Sequence, residues 1–390
     1  MNGSELLAAR ARSWGSWLWV LGLALGASVA ASQILLGLAA IAALGALFAC
    51  GPRPRFHPPP GSLPLALYAG WSLISAAASG SPLLSLLHTK ELLLLGVPLL
   101  GVALLRGGGE VDRAALALLA AGNILAAWGI AQYALGDFNV FERIRGPLSH
   151  HLSFAGILLL LFVAAVAWSA SCEPRLRRLA LLSLAPLALA LLLNQSRSAW
   201  IGAAAGLLVL CFTPRRRLPV ALLVAGTLAV GLHPQFQHKL TSLMNPAADT
   251  SLRARAAMLR TGARMVAERP WLGTGPGLIE PAYARLQPAD YPLPRVGHLH
   301  STPLQIAAER GVPALAVWGA FWVALLRAVR RPHAGAVGRA RAELRSAAAA
   351  CSAAFLLMGL FEYNFGDAEP STLMLGLLAL PFVPAASRKP

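Results

Sequence analysis

The chain has 390 residues, is 57% hydrophobic and only 13% charged, with a net charge of +17. A soluble domain carries about a quarter charged residues, so an ordinary soluble globular fold is excluded. The basic excess lies in the breaks between oily runs, which favours orientation in a membrane over nucleic-acid binding.

Apolar runs recur from end to end, separated by short breaks containing Arg, Pro or Gly. The pattern predicts an all-α, polytopic integral membrane protein, with about 12 transmembrane helices and one large periplasmic loop that itself contains helices. No alternating pattern of barrel strands appears. The predicted spans are 14–32, 34–50, 63–80, 85–105, 114–136, 149–170, 179–194, 198–213, 218–232, 312–328, 346–362 and 372–386. This divides the chain into 1–232 (spans one to nine), a loop at 233–311, and 312–390 (the last three spans).

The breaks alternate in charge. Arg10 and Arg12, Arg53 and Arg55, Arg106 and Arg113, Arg175 to Arg178, the run 214–217, Arg327 to Arg345, and Arg388 with Lys389 form one set. Short basic loops stay in the cytoplasm, so both termini are expected inside. "GASVAAS" resembles a signal cleavage site, but the next apolar run follows at once, which argues for a retained hairpin. Cys50, Cys172, Cys211 and Cys351 fall at or near predicted inner ends, and no disulfide or metal spacing is visible. No nucleotide-binding glycine motif occurs.

Taken outward, the first break of interest is "FERIRGPLSHHLSFAG", which supplies Arg143, Arg145, His150 and His151. The histidines lack acidic or sulfur partners at ligand spacing, so no metal is expected. "NQSRSAW" at 194–200 puts Arg197 in a turn too short to be a solvated loop, and a charge at membrane depth is a functional candidate. In "TSLRARAAMLRTGARMVAERPWLGTGPG", Thr250 or Ser251 is the expected cap and Pro270 the expected stop. At 100° per residue, Arg253, Arg260 and Arg264 share one sector. Arg255 falls in the opposite, apolar sector with Leu259, Gly262 and Val266, where it needs an Asp or Glu partner or a bound anion.

"TPLQ" reads as a capping box, with Thr302 as cap, Pro303 in the first position and Gln305 in the third. His300 then lies just before a helix N-terminus, whose dipole favours an anion nearby and a neutral imidazole. His298 stands two residues earlier. "FEYNFGDAEPS" brings Glu362, Asp367 and Glu369 to the same side, as partners for the arginines or for an acceptor. Several arginines with few competing acids suit a phosphorylated lipid.

The ordered set "NQSRSAW", "RARAAMLRTGARMVAERPWLGTGPG" and "HLHSTPLQIAAERGVPAL" resembles the O-antigen ligase superfamily, bacterial inner-membrane glycosyltransferases of the C (GT-C) type. The resemblance covers about Arg143 to Asp367. It implies an undecaprenyl-pyrophosphate-linked glycan as donor and lipid A–core oligosaccharide as acceptor. It also implies inversion at the anomeric carbon, with no cofactor, metal or nucleotide. Matched by position, Arg197 and Arg255 would hold the pyrophosphate and His300 would be the general base. Arg145, His150, His298 and Asp367 are candidates for donor or acceptor contacts. Ser301 stands where the family usually has asparagine, and Leu259 where it often has tryptophan. An O-antigen polymerase or a protein O-oligosaccharyltransferase would use the same donor. A lipid or polysaccharide transporter is the alternative from another class.

Overall fold

The computed structural model describes residues 3–49, 57–136, 143–232, 237, 249–289, 293, 295–331 and 342–385. Cys50, Arg53, Arg55, Arg388, Lys389 and most of the 233–248 and 332–341 stretches lie outside these residues. Every element among the described residues is helical.

The helices are α1 Gly3–Ala24, α2 Val29–Ala49, α3 Ser62–Ala77, α4 Pro82–His88, α5 Val97–Leu104, α6 Gly107–Leu135, α7 His151–Trp168 and α8 Pro174–Leu193. They continue as α9 Arg197–Cys211, α10 Arg217–Leu232, α11 Thr250–Glu268, α12 Ile279–Leu286, α13 Thr302–Arg330, α14 Ala342–Gly359 and α15 Ala368–Ala379. Each predicted span overlaps a helix. Six stretches are long and apolar enough to cross a membrane by length and composition: α2, Pro82–Leu104, α6, α7, α8 and α13. Four further apolar helices are shorter.

The core forms around α7, which is buried almost along its whole length. It packs against α6, α8, α9, α14 and α15. Its sequence, "LSFAGILLLLFVAAVAW", is apolar on every side, as a helix walled in by other helices must be. α1 and α2 form an adjoining hairpin. A second, smaller core of Met265, Ile279, Tyr283, Val296, Leu299 and Ala308 joins α11, α12 and the start of α13. This is the body of the large loop.

Several boundaries differ from expectation for physical reasons. The first break comes at 25–28, around Gly26 and Ser28, rather than between 32 and 34. The 85–105 span is interrupted: Thr89–Gly96 is a 3-10 segment, and Pro98 opens α5. The loop end expected at 311/312 falls on Gly311, where the path of α13 kinks at φ 81. Cys351 is buried in the interior of α14 and points at the Leu160 carbonyl.

The kink has a clear cause. Val312 N–H donates to the Pro270 carbonyl, Thr274 N–H to Ala308 and Gly275 N–H to Glu309. The "PWLGTGPG" turn is thus laced to the kink backbone to backbone. A Cβ at Gly311 would run into the Trp271 carbonyl, and one at Gly273 into the Glu309 backbone. Both glycines have positive φ, so only glycine suits them. From the other side, Ser75 Oγ donates to the Leu272 carbonyl, Ser85 Oγ to Pro276 and Trp71 Nε1 to Arg310.

Candidate functional site

The site is assembled from three turns. The first is Asn194 to Arg197, between α8 and α9. Gln195 takes a left-handed φ of 58, and Asn194 Nδ2 donates to the carbonyls of Ile144 and His151. Those bonds fix the turn to the Arg143–His151 stretch. Arg197 opens α9, and its Nη1 lies 3.2 Å from Asp249 Oδ2. Asp249 also caps α11, accepting from Ser251 and Leu252 N–H. The cap is therefore Asp249, not Thr250 or Ser251. Asp is a stronger cap than Thr, and it precedes both.

The second turn is Leu299 to Thr302. His300 also has a left-handed backbone, φ 48. Non-glycine residues held there are costly and gather at functional turns. The cap of α13 is Ser301, one residue earlier than expected. Thr302 cannot cap, because its hydroxyl and its N–H both go to the Glu362 carbonyl. Gln305 reaches back to the Leu299 N–H at 2.8 Å and so holds the histidine turn by another route.

The third turn is Phe361 to Asp367, between α14 and α15. Glu362 is its centre, with a side chain 3% exposed. Its Oε1 lies 2.6 Å from Arg255 Nη2, and its Oε2 lies 2.8 Å from His300 Nδ1. Ser198, next to Arg197, donates to Oε1 at 3.3 Å. One carboxylate therefore ties together the segments that carry Arg197, Arg255 and His300. Arg255 does point to the packed side of its helix, and its partner is an acid. Leu259, expected on that side, is exposed instead, and the packed face runs through Ala257, Thr261, Gly262 and Met265.

The expectation of few competing acids does not hold here, since Arg197 and Arg255 each have a carboxylate. A guanidinium drawn to membrane depth needs a counter-charge or a bound anion. A third arginine shifts the balance back. Arg143 Nη1 lies 3.3 Å from His151 Nε2, and it feels the charges of Arg197, Arg255, Glu362 and Asp249. Burial first, then those two arginines, lowers its hold on its proton. Three guanidinium groups thus face two carboxylates in one neighbourhood. Arg145, the candidate on this stretch, is exposed: its Nη1 turns to the Ser149 carbonyl, and its N–H is taken by Gln132.

For Glu362, burial alone would favour the protonated form. The His300 hydrogen bond and the Arg255 charge outweigh burial and hold the carboxyl below the ordinary carboxylate range. An ionised carboxylate only accepts, so His300 donates from Nδ1 and leaves Nε2 as the acceptor nitrogen. This tautomer is fixed by the Glu362 carboxylate.

His298 and His150 lie beside this dyad. The rings of His298 and His300 are 4.2 Å apart, and burial pushes the His298 pKa down to about 4. His150 caps α7 through Nδ1 and stacks on His151 at 4.6 Å. Asp367 accepts from Ser153 Oγ at 3.1 Å, and burial pushes its pKa up to about 6. His150, His298, Glu362 and Asp367 share the wall of one polar cavity of about 230 Å³. Among the described residues, no group of three or more His, Cys, Asp or Glu side chains is arranged to hold a metal ion.

The residues that the sequence under-read are Glu362, Asp249 and Arg143. Asp249 was visible as the first strong capping residue before "TSLR". Glu362 was visible as an acid in an oily break, but not as the partner of two specific groups.

With this geometry established, comparison with known proteins adds one match. Residues 179–319 match the family model described as O-antigen ligase. The matched stretch runs from α8 into α13 and contains Arg197, Arg255 and His300, while Arg143 and Glu362 lie outside it. The match supports the O-antigen ligase and polymerase superfamily, whose members are glycosyltransferase-like enzymes. No curated protein matches the chain.

Proposed function

We propose that the chain is a glycosyltransferase of the O-antigen ligase kind. It moves a glycan from undecaprenyl pyrophosphate to lipid A–core oligosaccharide, at the periplasmic face of the bacterial inner membrane, with both termini in the cytoplasm. The reading rests above all on Glu362, which holds an anion-binding side chain and an imidazole at once.

In the reaction, an acceptor hydroxyl oxygen attacks the anomeric carbon of the donor glycan from the face opposite the pyrophosphate, so the configuration inverts. The carbon–oxygen bond to the pyrophosphate breaks, and the leaving group takes the electron pair. The hydroxyl proton passes to Nε2 of His300. Arg197 and Arg255 stabilise the charge that grows on the leaving group, with Arg143 adding to the field. Such stabilisation is commonly the largest single contribution to rate. An anion arriving between Arg255 and Glu362 competes for the guanidinium, which has five donors in a planar fork and can serve both. Because pyrophosphate is a good leaving group and the arginines carry its charge, neither metal nor nucleotide is required.

Replacing Arg197, Arg255 or His300 by Ala should abolish capped lipopolysaccharide in a ligase-deficient strain at normal expression. Loss of a general base costs about 10²–10⁴-fold in rate. Full ligation by all three variants would refute the assignment. Arg253→Ala, on the exposed side of α11, should retain ligation. In a purified reaction the wild type should release free undecaprenyl pyrophosphate, which a transporter would not.

A further inference from the structure

The polar cavity beside the dyad has a chemistry unlike that of the arginine cluster. Its wall includes His150, the cap of α7, Ser153 of α7, His298 just before the second turn, and Glu362, Asp367 and Glu369 from the third turn and the start of α15. Among the described residues, no Lys or Arg lines it. A phosphate would meet three carboxylates there without a compensating cation, so the donor's pyrophosphate is excluded. Yet the wall is less anionic than that count. Glu362 is engaged by Arg255 and His300, and Asp367 by Ser153. Buried Asp367 gains its proton near pH 6. An organic cation would therefore have to compete with Arg255 and His300 for Glu362 and with the Ser153 hydroxyl for Asp367. Carboxylates accept strongly from hydroxyl donors. A mainly polar wall of interleaved carboxylate and imidazole groups suits an uncharged polyol.

We infer that this cavity holds one uncharged sugar ring of the acceptor, with His298, Asp367 and Glu369 reading its hydroxyls. The inference rests on the glycosyltransferase reading for its role in turnover, although sugar binding stands apart from it. The site is the right size for a single ring. Its wall reaches the dyad through Glu362 and through His298, whose ring lies 4.2 Å from that of His300. The donor and acceptor are then separated by charge: guanidinium groups take the diphosphate, and the acidic, aromatic pocket takes the nucleophile.

The test uses the full chain in nanodiscs with lipid A–core oligosaccharide as acceptor and a glycan on undecaprenyl pyrophosphate as donor. Two variants probe the cavity. Asp367→Asn removes the charge at constant shape, and Ala368→Leu takes up space from a wall residue that itself carries no charge. Losing a hydrogen bond to a charged group should raise the acceptor KM about tenfold. In both variants kcat and donor KM should stay within about twofold, the pattern of lost ground-state binding. An unchanged acceptor KM in both variants, with normal turnover, overturns the inference and leaves the enzyme reading standing. Saturation-transfer NMR with methyl hexopyranosides settles the other branch. If the wild type transfers nothing but shows sugar contact that Ala368→Leu abolishes, the cavity stands and the enzyme reading falls. No transfer and no contact overturns the cavity as well.

Discussion

At the scale of single residues, Glu362 is the group on which the site turns. It sets the tautomer of His300 and balances Arg255 with one carboxylate. Glu362→Gln keeps the size but can donate an N–H toward Nδ1, which reverses the ring. We expect kcat to fall by roughly 10²-fold or more, in line with the loss of a tautomer-setting acid, while the variant remains folded and still binds undecaprenyl pyrophosphate. Steady-state kinetics with a donor-binding measurement checks both points. A second expectation concerns pH. Asp367 has its pKa raised to about 6 by burial, so it is ionised at pH 7 and protonated as the medium is acidified through that value. Acceptor KM should rise as pH falls below about 6 in the wild type, and Asp367→Asn should lack that limb. The groups facing Asp367 are Ser153 on α7 and His150 at its cap, His298 and His300 at the histidine turn, and Glu362 and Glu369 on either side of it in sequence. His298 stays neutral until about pH 4, so it does not supply the limb. Arg197, Arg255 and His300 were legible in the sequence because ionisable groups in oily breaks carry a cost that demands a reason. The choice of Arg145 over Arg143 was not. The two lie in an irregular stretch, where no helical or strand period fixes which way a side chain turns, and Gln132, far back on α6, decides it.

At the scale of elements, the caps carry two jobs each, and this is why they were misread. Asp249 both caps α11 and pairs with Arg197. Asp249→Ala should destabilise α11 by about 1 kcal/mol, the usual worth of a cap, and should weaken donor binding through Arg197. Thermal unfolding alongside a donor titration would separate the two losses. Thr302 looked like a cap because its side chain is of the right kind. Only the distant Glu362 carbonyl, which claims that hydroxyl, moves the start of α13 by one residue. The kink at Gly311 was likewise hidden. The sequence "ERGVPAL" shows a glycine and a proline, and a span beginning at 312, just after the glycine, is the natural reading. The backbone lacing to Pro270 lets the helix continue on both sides of the break instead. Gly311→Ala should cost at least about 1–3 kcal/mol from backbone conformation alone, seen as a lowered thermal midpoint, before the clash with Trp271 is counted.

For the molecule as a whole, the helical class and the course of the oily segments followed from composition and hydropathy, since a membrane leaves few solutions for a backbone. What hydropathy does not carry is the assembly of the loop onto the bundle. That is done by polar groups in the interior. Glu309 and Arg310 pair with each other in the core, Glu309 accepts from Gly277 N–H and Gln305, and the Arg310 guanidinium lies over the ring of Tyr68. Breaking one half of a buried pair costs about 3–5 kcal/mol, while replacing both halves by neutral groups is often tolerated. Arg310→Met should therefore lower the unfolding midpoint strongly, and the double variant with Glu309→Gln should recover part of the loss.

The burial of α7 on every side has one more effect. Ser153 is fixed to the most closely enclosed rod among the described residues, and His150 caps its end. They form a stationary jaw, and any opening to admit a guest must be done by the opposite jaw, the short connectors bearing His298 and Glu362. Crosslinking those two connectors to each other should leave a lone ring able to enter, whereas pinning either one to the rod should shut it out.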